Sequence, residues 1–230
     1  MSAAAHESAS LAAVLLDLDG TLADTAADLA RAMDVLRGEL GLPPLPAGAL
    51  RPYVSQGARG MLACGLDLRP DDARYVELRD RFLTIYADCC AVDARLFDGF
   101  AAVLATLRDN GLRIGVVTNK LERFAAPLLR ALDVWPDADC LITPDQLARP
   151  KPDPEGVLLA CKLLGVEPAQ CVFVGDDRRD IEAGRAAGTR TVVAAYGYLP
   201  PDEDITTWGA DARIDAPAQL PALCQRWGSA

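Results

Sequence analysis

The sequence predicts an α/β fold, in which a doubly wound, Rossmann-like parallel sheet carries an inserted all-helical domain. Residues 14–16 form a short apolar run that ends at Asp17, which is typical of a strand buried on both faces of a parallel sheet. Residues 24–94 show helical periodicity without a strand pattern. Beyond Gly99, helix and strand patterns alternate, as they do when helices cross over between parallel strands.

The predicted helical domain contains one helix over about 26–38 and another over 75–89. Thr25 and Asp28 have the spacing of a capping box at the start of the first helix. The apolar residues of the second helix fall on one face when they are placed on a helical period. Between the two helices, residues 55–60 predict a flexible turn that opens another short helix.

Beyond residue 99 the patterns predict alternating helices and strands, with a last short strand near 213–215. The predicted helices cover 100–108, 122–132, 154–164 and 179–187, and the predicted strands cover 112–117, 140–142, 171–174 and 190–195. The chain is therefore expected to divide into a polar leader and two domains. These are a leader over 1–10, a sheet domain over 11–23 and 95–230, and a helical domain over 24–94.

Length and charge limit the class of protein. With 230 residues, of which 51% are hydrophobic, the chain can bury one substantial core and a small second domain. Its formal net charge of −10 repels phosphate backbones, so we expect no nucleic-acid partner. The longest apolar runs are far shorter than the roughly 20 residues that a membrane-spanning helix needs. We expect a cytoplasmic protein without a membrane segment, either a monomer or a homodimer.

The cysteine and histidine content excludes several kinds of site. The seven cysteines include no Cys-x-x-Cys pair, so we expect structural thiols rather than a zinc or redox centre. The single histidine, His6, falls in the leader, which excludes a His-based triad or an imidazole metal site. Acid and base chemistry must then come from carboxylates, Lys, Tyr or Cys.

Polar residues follow three of the predicted strands at their carboxyl ends. Asp17 and Asp19 follow the first strand, residues 118–120 follow the second, and residues 175–177, with Asp180 one turn later, follow the fourth. Ligands of open α/β sheets bind at this edge, so we expect these side chains to form one site. The alternative is a polar loop that only ends the first strand.

The same edge is predicted to receive a phosphate group. Thr118 and Asn119 offer a hydroxyl, an amide and backbone N–H groups at the start of a helix. Lys151 lies between Pro150 and Pro152, which restrict the backbone and so reduce the entropy lost when the ammonium binds an anion. We therefore predict Thr118, Asn119 and Lys151 as phosphate-binding residues.

The acidic residues at this edge predict a metal ion. Several carboxylates in one crevice cannot all ionise without a cation, because like charges raise each other's pKa. Oxygen ligands without His or Cys select Mg²⁺, which keeps water and substrate phosphate in its shell. A carboxylate nucleophile would form an aspartyl-phosphate, and an acid two residues further on would protonate the leaving oxygen and then activate water. These residues predict two-step hydrolysis of a phosphate monoester.

The chain resembles the haloacid dehalogenase superfamily over nearly its whole length. The four motifs of that superfamily are matched in order by Asp17–Thr21, Thr118, Lys151 and Gly175–Asp180. The resemblance implies that Asp17 is the nucleophile and Asp19 the general acid and base. It also implies a Mg²⁺ site at Asp17, Asp19 and Asp176, with Asp177 and Asp180 as outer-shell acids. The helical domain would then correspond to the C1 cap of the superfamily.

Shorter segments of the chain resemble particular groups of phosphatases within the superfamily. Three of them are similar to the phosphoglycolate phosphatase group, at 116–120, 151–154 and 196–198. Five others are similar to the phosphatases that act on N-acetylmuramic acid 6-phosphate in peptidoglycan recycling, at 90–92, 96–99, 160–162, 188–191 and 208–211. The resemblance implies N-acetylmuramic acid 6-phosphate as the substrate, with 2-phosphoglycolate as an alternative. A sugar phosphomutase and a receiver-type phosphoacceptor module are alternatives from other classes.

Substrate choice is expected to come from the helical domain, because the core motifs contact only groups that every phosphate monoester shares. Gln56 and Arg59 supply donors that can meet a carboxylate or sugar hydroxyls. The alternative for Arg59 is a solvated charge on a helix. Lys120, Arg178 and Arg179 are also expected to be solvated charges at helix starts.

Overall fold

The computed structural model of the protein describes residues 10–134 and 138–228, so the predicted leader, His6 included, lies outside the described residues except for Ser10. In chain order the helices are α1 (Ala26–Glu39), α2 (Gly57–Leu66), α3 (Tyr75–Cys89), α4 (Phe100–Asp109), α5 (Glu122–Ala131), α6 (Glu155–Leu164), α7 (Arg178–Ala187) and α8 (Leu220–Gly228). The strands are β1 (Ala13–Leu16), β2 (Ala23–Asp24), β3 (Arg95–Leu96), β4 (Arg113–Val117), β5 (Cys140–Ile142), β6 (Cys171–Gly175), β7 (Arg190–Ala194) and β8 (Ala212–Ile214).

Six parallel strands form one sheet in the order β5-β4-β1-β6-β7-β8, which confirms the predicted fold class. β1 lies between β4 and β6, and Leu15 is paired with Gly115 on one side and with Phe173 on the other. The carboxyl ends of these three strands therefore lie side by side, so residues that follow them share one edge of the sheet.

Helices cover both faces of the sheet, which explains the continuous apolar run in β1. Val14 and Leu16 pack with residues of α4, α5 and α8 on one face. Ala13 and Leu15 pack with residues of α6 and α7 on the other face. Because successive side chains of a strand point to opposite faces, a strand covered on both sides needs an apolar residue at every position.

The helices α1, α2 and α3 pack around a separate apolar cluster. Met33, Met61 and Phe82 are fully buried in it. Phe124 and Tyr198, which come from the sheet-forming part of the chain, join the same cluster. The three helices are thus in direct contact with the sheet domain, while the exact boundaries of the helical domain stay a prediction.

Two local predictions at the start of the helical domain are wrong. Ala23–Asp24 pairs antiparallel with Arg95–Leu96, so the segment expected to be all-helical from residue 24 begins in a two-stranded ribbon. Strands of two residues are too short to produce a recognisable alternation. Thr25 and Asp28 form no capping box. Instead, the buried Asp28 carboxylate accepts hydrogen bonds from the backbone N–H groups of residues 92–94.

The other predicted helices and strands agree with the structure to within one residue at each end, and a short 3₁₀ helix, Arg51–Gln56, precedes α2. Helix α8 was not predicted, although its buried residues Leu220, Leu223 and Cys224 have helical spacing. None of the described helices has both the length and the apolar character needed to cross a membrane.

Candidate active site

The predicted site residues that follow three strands come together at the carboxyl edge of the sheet. Asp17 follows β1, Thr118 follows β4 and Asp176 follows β6, and all three residues are buried. The Asp17 backbone N–H donates to the Val174 carbonyl at 2.9 Å, which continues the pairing of β1 with β6 past the end of the strand. The sheet thereby places the Asp17 and Asp176 side chains next to each other.

Three carboxylates form a tight cluster in the described part of the chain. One oxygen from each of Asp17, Asp176 and Asp180 lies within 4.8 Å of the other two. A Cβ atom at Gly20 or at Gly197 would overlap the Asp176 side chain, and Gly20 also has a φ of 87°, which favours glycine. The backbone therefore closes tightly around this cluster, and it can do so only because these positions lack a side chain.

Three donors fix the orientation of Asp176. The Thr21 hydroxyl donates to Oδ1 at 3.1 Å. The Tyr198 backbone N–H and the Ser55 hydroxyl both donate to Oδ2, each at 2.8 Å. Thr21 lies in the loop after β1, whereas Ser55 comes from the helical domain. The carboxylate is thus held by donors from both domains.

Lys151 supplies the positive charge next to the carboxylate cluster. Its Nζ donates to Asp17 Oδ1 at 2.6 Å and to the Val117 carbonyl at 2.9 Å, and it lies 2.6 Å from Asp180 Oδ1. The Asn119 side-chain amide exchanges two hydrogen bonds with the Lys151 backbone, at 3.0 and 3.1 Å. The Asn119 side chain therefore holds the Lys151 loop, and its predicted contact with phosphate stays a prediction.

The charges of the cluster are unbalanced. Burial raises the pKa of all three carboxyls, most clearly that of Asp176, which also lies near the Asp17 and Asp180 charges. The pKa of Asp180 rises to about 7 through burial, even though the Lys151 ammonium opposes the shift. One ammonium cannot balance three ionised carboxylates, so the cluster either holds protons or takes a further positive charge. Its hard oxygen donors, without His or Cys among them, fit Mg²⁺.

Among the described residues, the Asp19 carboxylate is not part of this cluster, and its predicted role as a metal ligand stays a prediction. Its Oδ1 accepts hydrogen bonds from the Thr25 hydroxyl at 2.6 Å and from Lys120 Nζ at 2.9 Å. These two donors hold the carboxylate outside the group formed by Asp17, Asp176 and Asp180.

Lys120 is not a solvated charge, so this prediction is wrong. Its side chain is only 7% exposed and is paired with Asp19. Burial lowers the pKa of Lys120, but the interactions with Asp19 and Tyr86 together outweigh burial and hold the pKa above its ordinary value. Lys120 is therefore a buried cation of the site.

Asp177 and Arg179 connect the start of α7 to the helical domain. The Asp177 side chain accepts from the Arg179 backbone N–H at 2.9 Å and from its guanidinium at 2.7 and 2.8 Å. Arg179 also donates to the Ser55 carbonyl at 2.7 Å. Arg179 is thus engaged between the domains rather than solvated, whereas Arg178 is half-exposed and pairs with Glu203 at the surface.

A cavity of about 410 Å³ opens above Asp17 and Asp19 between the sheet and the helical domain. Gln56 and Arg59 both line it and are both exposed, so the structure brings the two predicted specificity residues to the site. Much of the remaining wall is apolar or aromatic, and it includes Leu29, Val54, Phe82, Tyr86, Leu121 and Phe124.

Lys120, Ser55, Tyr198 and Arg179 belong to the site without having been predicted as site residues. A partial signal exists for two of them. Lys120 directly follows Thr118 and Asn119, and Ser55 begins the turn that carries Gln56 and Arg59. Neither pattern shows which residue of the other domain lies opposite, because that pairing depends on how the helical domain docks.

Comparison with known proteins supports this description. Residues 11–188 match the family model for haloacid dehalogenase-like hydrolases. The chain is 45% identical over 216 residues to the N-acetylmuramic acid 6-phosphate phosphatase of Pseudomonas aeruginosa, with 94% of this chain and 96% of that protein covered. It is 42% identical over 208 residues to a phosphoglycolate phosphatase of Xanthomonas campestris pv. campestris, with 90% and 94% covered.

A solved structure shows the same fold. The crystal structure of a predicted phosphoglycolate phosphatase from Haemophilus somnus matches with a TM-score of 0.82 at 24% identity, and the match covers 93% of this chain and 97% of that chain. The family match includes the helical domain as well as all four motifs from Asp17 to Asp180. The chain therefore belongs to the haloacid dehalogenase-like hydrolase family.

Proposed function

We propose that the protein is a Mg²⁺-dependent phosphomonoesterase that acts through an aspartyl-phosphate on N-acetylmuramic acid 6-phosphate. The observation that carries the proposal is the buried Asp17 carboxylate at the end of β1, which lies beside Asp176, Asp180 and the Lys151 ammonium and faces a cavity. A nucleophilic carboxylate, a cation for phosphate and a cluster of hard oxygen donors are the parts that phosphoryl transfer to an aspartate requires.

The residues take separate roles in this proposal. The Asp17 carboxylate attacks phosphorus, and Asp19 gives a proton to the leaving oxygen as the ester bond breaks. Asp19 then takes a proton from the water that attacks the aspartyl-phosphate, which releases inorganic phosphate and restores Asp17. Thr118 and Lys151 bind the phosphate oxygens, and the Asn119 side chain holds the Lys151 loop in place.

Asp17 and Asp176 would hold the Mg²⁺, with Asp180 next to them, and Asp177 would remain an outer-shell acid that caps α7. The cation would neutralise charge on the phosphoryl oxygens and on the clustered carboxylates. Asp19 is better placed for proton transfer than for metal binding, because its carboxylate is bound by Thr25 and Lys120 outside the cluster.

Cavity size and relatives support the larger substrate. N-Acetylmuramic acid 6-phosphate carries a sugar ring, an N-acetyl group and a lactyl carboxylate, whereas 2-phosphoglycolate carries only a two-carbon acid. A cavity of about 410 Å³ with aromatic and aliphatic walls suits the larger, partly apolar leaving group. The Pseudomonas relatives named for that substrate are both 45% identical to this chain.

The alternative is hydrolysis of 2-phosphoglycolate, and one observation favours it. The Xanthomonas campestris relatives that are named phosphoglycolate phosphatases are 42% identical to this chain over 208 residues. Both substrates carry a carboxylate, so Arg59 is a suitable partner for either one.

A substrate panel tests the proposal. Purified protein is assayed for phosphate release from N-acetylmuramic acid 6-phosphate, N-acetylglucosamine 6-phosphate, 2-phosphoglycolate and glucose 1-phosphate, each with Mg²⁺ and with excess chelator. We expect the highest kcat/KM on the first compound and no turnover with chelator. N-Acetylglucosamine 6-phosphate is the matched control, since it lacks only the lactyl group. Preference for 2-phosphoglycolate would replace the substrate assignment, and isomerisation without phosphate release would indicate a phosphomutase.

A further inference from the structure

The ion pair between Lys120 and Asp19 lies in the wall of the cavity. Lys120 Nζ donates to Asp19 Oδ1 at 2.9 Å, and the two side chains are only 7% and 14% exposed. Both residues line the cavity. A buried pair of this kind contributes little to stability in comparison with apolar packing, so a role in the site accounts for it better than folding does.

The pair fixes one oxygen of Asp19. The Thr25 hydroxyl donates to the same Oδ1 at 2.6 Å. Among the described residues, no hydrogen bond reaches the other oxygen, Oδ2. Because a carboxylate is planar and rigid, two donors on Oδ1 set the direction in which Oδ2 points. Lys120 and Thr25 together therefore set the orientation of Asp19 without occupying both of its oxygens.

The position of Lys120 in turn depends on the helical domain. Its Nζ lies 4.8 Å from the ring centre of Tyr86, which belongs to α3. The Tyr86 ring also packs edge-on against Phe124 of α5, with 5.1 Å between the ring centres. The Tyr86 hydroxyl is buried without a hydrogen-bond partner among the described residues. The ammonium lies at cation–π distance from the Tyr86 ring, so the ring helps to hold Lys120 in place.

From this geometry we infer that Lys120 is a positioning residue for Asp19, and that Tyr86 of the helical domain keeps Lys120 in that position when the two domains are in contact. The inference rests on the proposed function, since the orientation of Asp19 matters for catalysis only if Asp19 transfers protons. It adds a connection between the domains: docking of α3 completes the proton-transfer group as well as covering the cavity.

Substitution of Lys120 tests the inference through the split between kcat and KM. Lys120→Met keeps the length of the side chain and removes the ammonium. We expect kcat on the preferred monoester to fall by roughly ten- to a hundredfold, with KM changed by less than about twofold, because substrate binding is kept while Asp19 is misaligned. Lys120→Arg should recover part of kcat, since it restores a donor to Asp19. Lys162→Met is the matched control on an exposed face of α6, and its kcat should equal that of the parent.

A double-mutant cycle shows whether Lys120 acts through Asp19. In an Asp19→Asn background, measured by single turnover, Lys120→Met should change the rate by less than about twofold, because its target is already disabled. Tyr86→Leu should lower kcat more than Tyr86→Phe does, since Phe keeps the ring face that contacts Lys120. Melting temperatures of all variants separate these effects from loss of folded protein.

The outcomes are distinguishable. A raised KM with unchanged kcat in Lys120→Met would show that Lys120 binds substrate, and this would overturn the inference while leaving the proposed function intact. Additive losses in the Asp19→Asn background would overturn it as well. If the parent protein releases no phosphate from any monoester, the proposed function and this inference both fail.

Discussion

The Ser55 hydroxyl of the helical domain donates a 2.8 Å hydrogen bond to Oδ2 of Asp176, which directly follows β6 of the sheet domain. The Ser55 carbonyl accepts a second bond, from Arg179 at the start of α7. One residue of the helical domain is therefore tied both to a carboxylate of the candidate metal site and to the helix that follows it. Docking of the helical domain and the charge state of Asp176 are physically linked.

Ser55→Ala should weaken this link. We expect it to lower the free energy of unfolding of metal-free protein by about 1–2 kcal/mol, because Asp176 loses a donor in a largely buried position. Saturating Mg²⁺ should reduce the difference, since the cation then stabilises the same carboxylate. Urea unfolding of parent and variant, with and without Mg²⁺, measures both quantities. An equal loss under the two conditions would show that Ser55 and the metal act on Asp176 independently.

Asp17→Asn should keep the fold and abolish phosphate release, because an amide cannot attack phosphorus. Acid quenching with ³²P-labelled substrate should show no labelled protein in the variant and a labelled aspartate in the parent. The circular dichroism spectrum serves as the control for folding. Labelling that persists in Asp17→Asn would assign the nucleophile to another residue.

Asp19→Asn should form the aspartyl-phosphate slowly and hydrolyse it more slowly still. General acid and base catalysis typically contributes 10²- to 10⁴-fold, so we expect a loss of about that size in kcat. Rapid-quench measurement of both steps checks this result. A variant with nearly normal turnover would show that neither the leaving group nor the water needs Asp19.

The raised carboxyl pKa values predict a pH dependence in metal-free protein. Burial raises the pKa of Asp180 from 3.8 to about 7, so between these values the folded protein holds a proton that the unfolded chain has released. The protonated Asp180 carboxyl therefore makes its full contribution to the free energy of unfolding below pH 4. This contribution is lost as the pH rises towards 7. Mg²⁺ competes with these protons, so the rise in melting temperature on adding Mg²⁺ should be larger at pH 8 than at pH 5.

Two variants test the source of this pH dependence and the position of the metal. Asp180→Asn removes one titrating group and should flatten the pH dependence of the metal-free melting temperature. Asp176→Ala should weaken Mg²⁺ binding in calorimetric titration. Equal stabilisation by Mg²⁺ at both pH values, together with unchanged affinity in Asp176→Ala, would place the metal elsewhere.

Arg59→Ala tests the source of substrate choice. We expect kcat/KM for the preferred carboxylate-bearing substrate to fall by an amount equivalent to about 1.5–3 kcal/mol, the range for a hydrogen bond to a charged group. Turnover of a generic aryl phosphate should barely change. Arg69→Ala is the matched control, because Arg69 is an exposed arginine of the same domain that does not line the cavity. Equal losses on both substrates would mean that Arg59 supports docking of the helical domain.

The local sequence pattern was sufficient to predict the strands of the sheet and the polar residues that follow them. The run before Asp17 and the strand before Asp176 read as buried parallel strands because every position in them is apolar, and parallel strands deliver their carboxyl ends to one edge. Thr118 could be placed for the same reason, whereas Lys151 was predicted from the two prolines that flank it. The β2–β3 ribbon could not, because two residues are too few to show a period.

The amino-acid sequence by itself determined the chemistry of this site: which strands end in carboxylates, which lysine is held between prolines, and that the cysteines lack the Cys-x-x-Cys spacing of a zinc or redox centre. Only the tertiary structure decided how the helical domain completes that chemistry. From the sequence, Lys120 is expected to be a solvated charge, but in the structure it contacts Asp19 and Tyr86. Ser55 is expected to be a turn residue, but in the structure its hydroxyl binds Asp176. Lys120 and Asp19 lie 101 residues apart in the same domain, whereas the contacts of Lys120 with Tyr86 and of Ser55 with Asp176 cross between the domains. No local period predicts these contacts, because the partners meet only when the sheet domain folds and the helical domain docks on it.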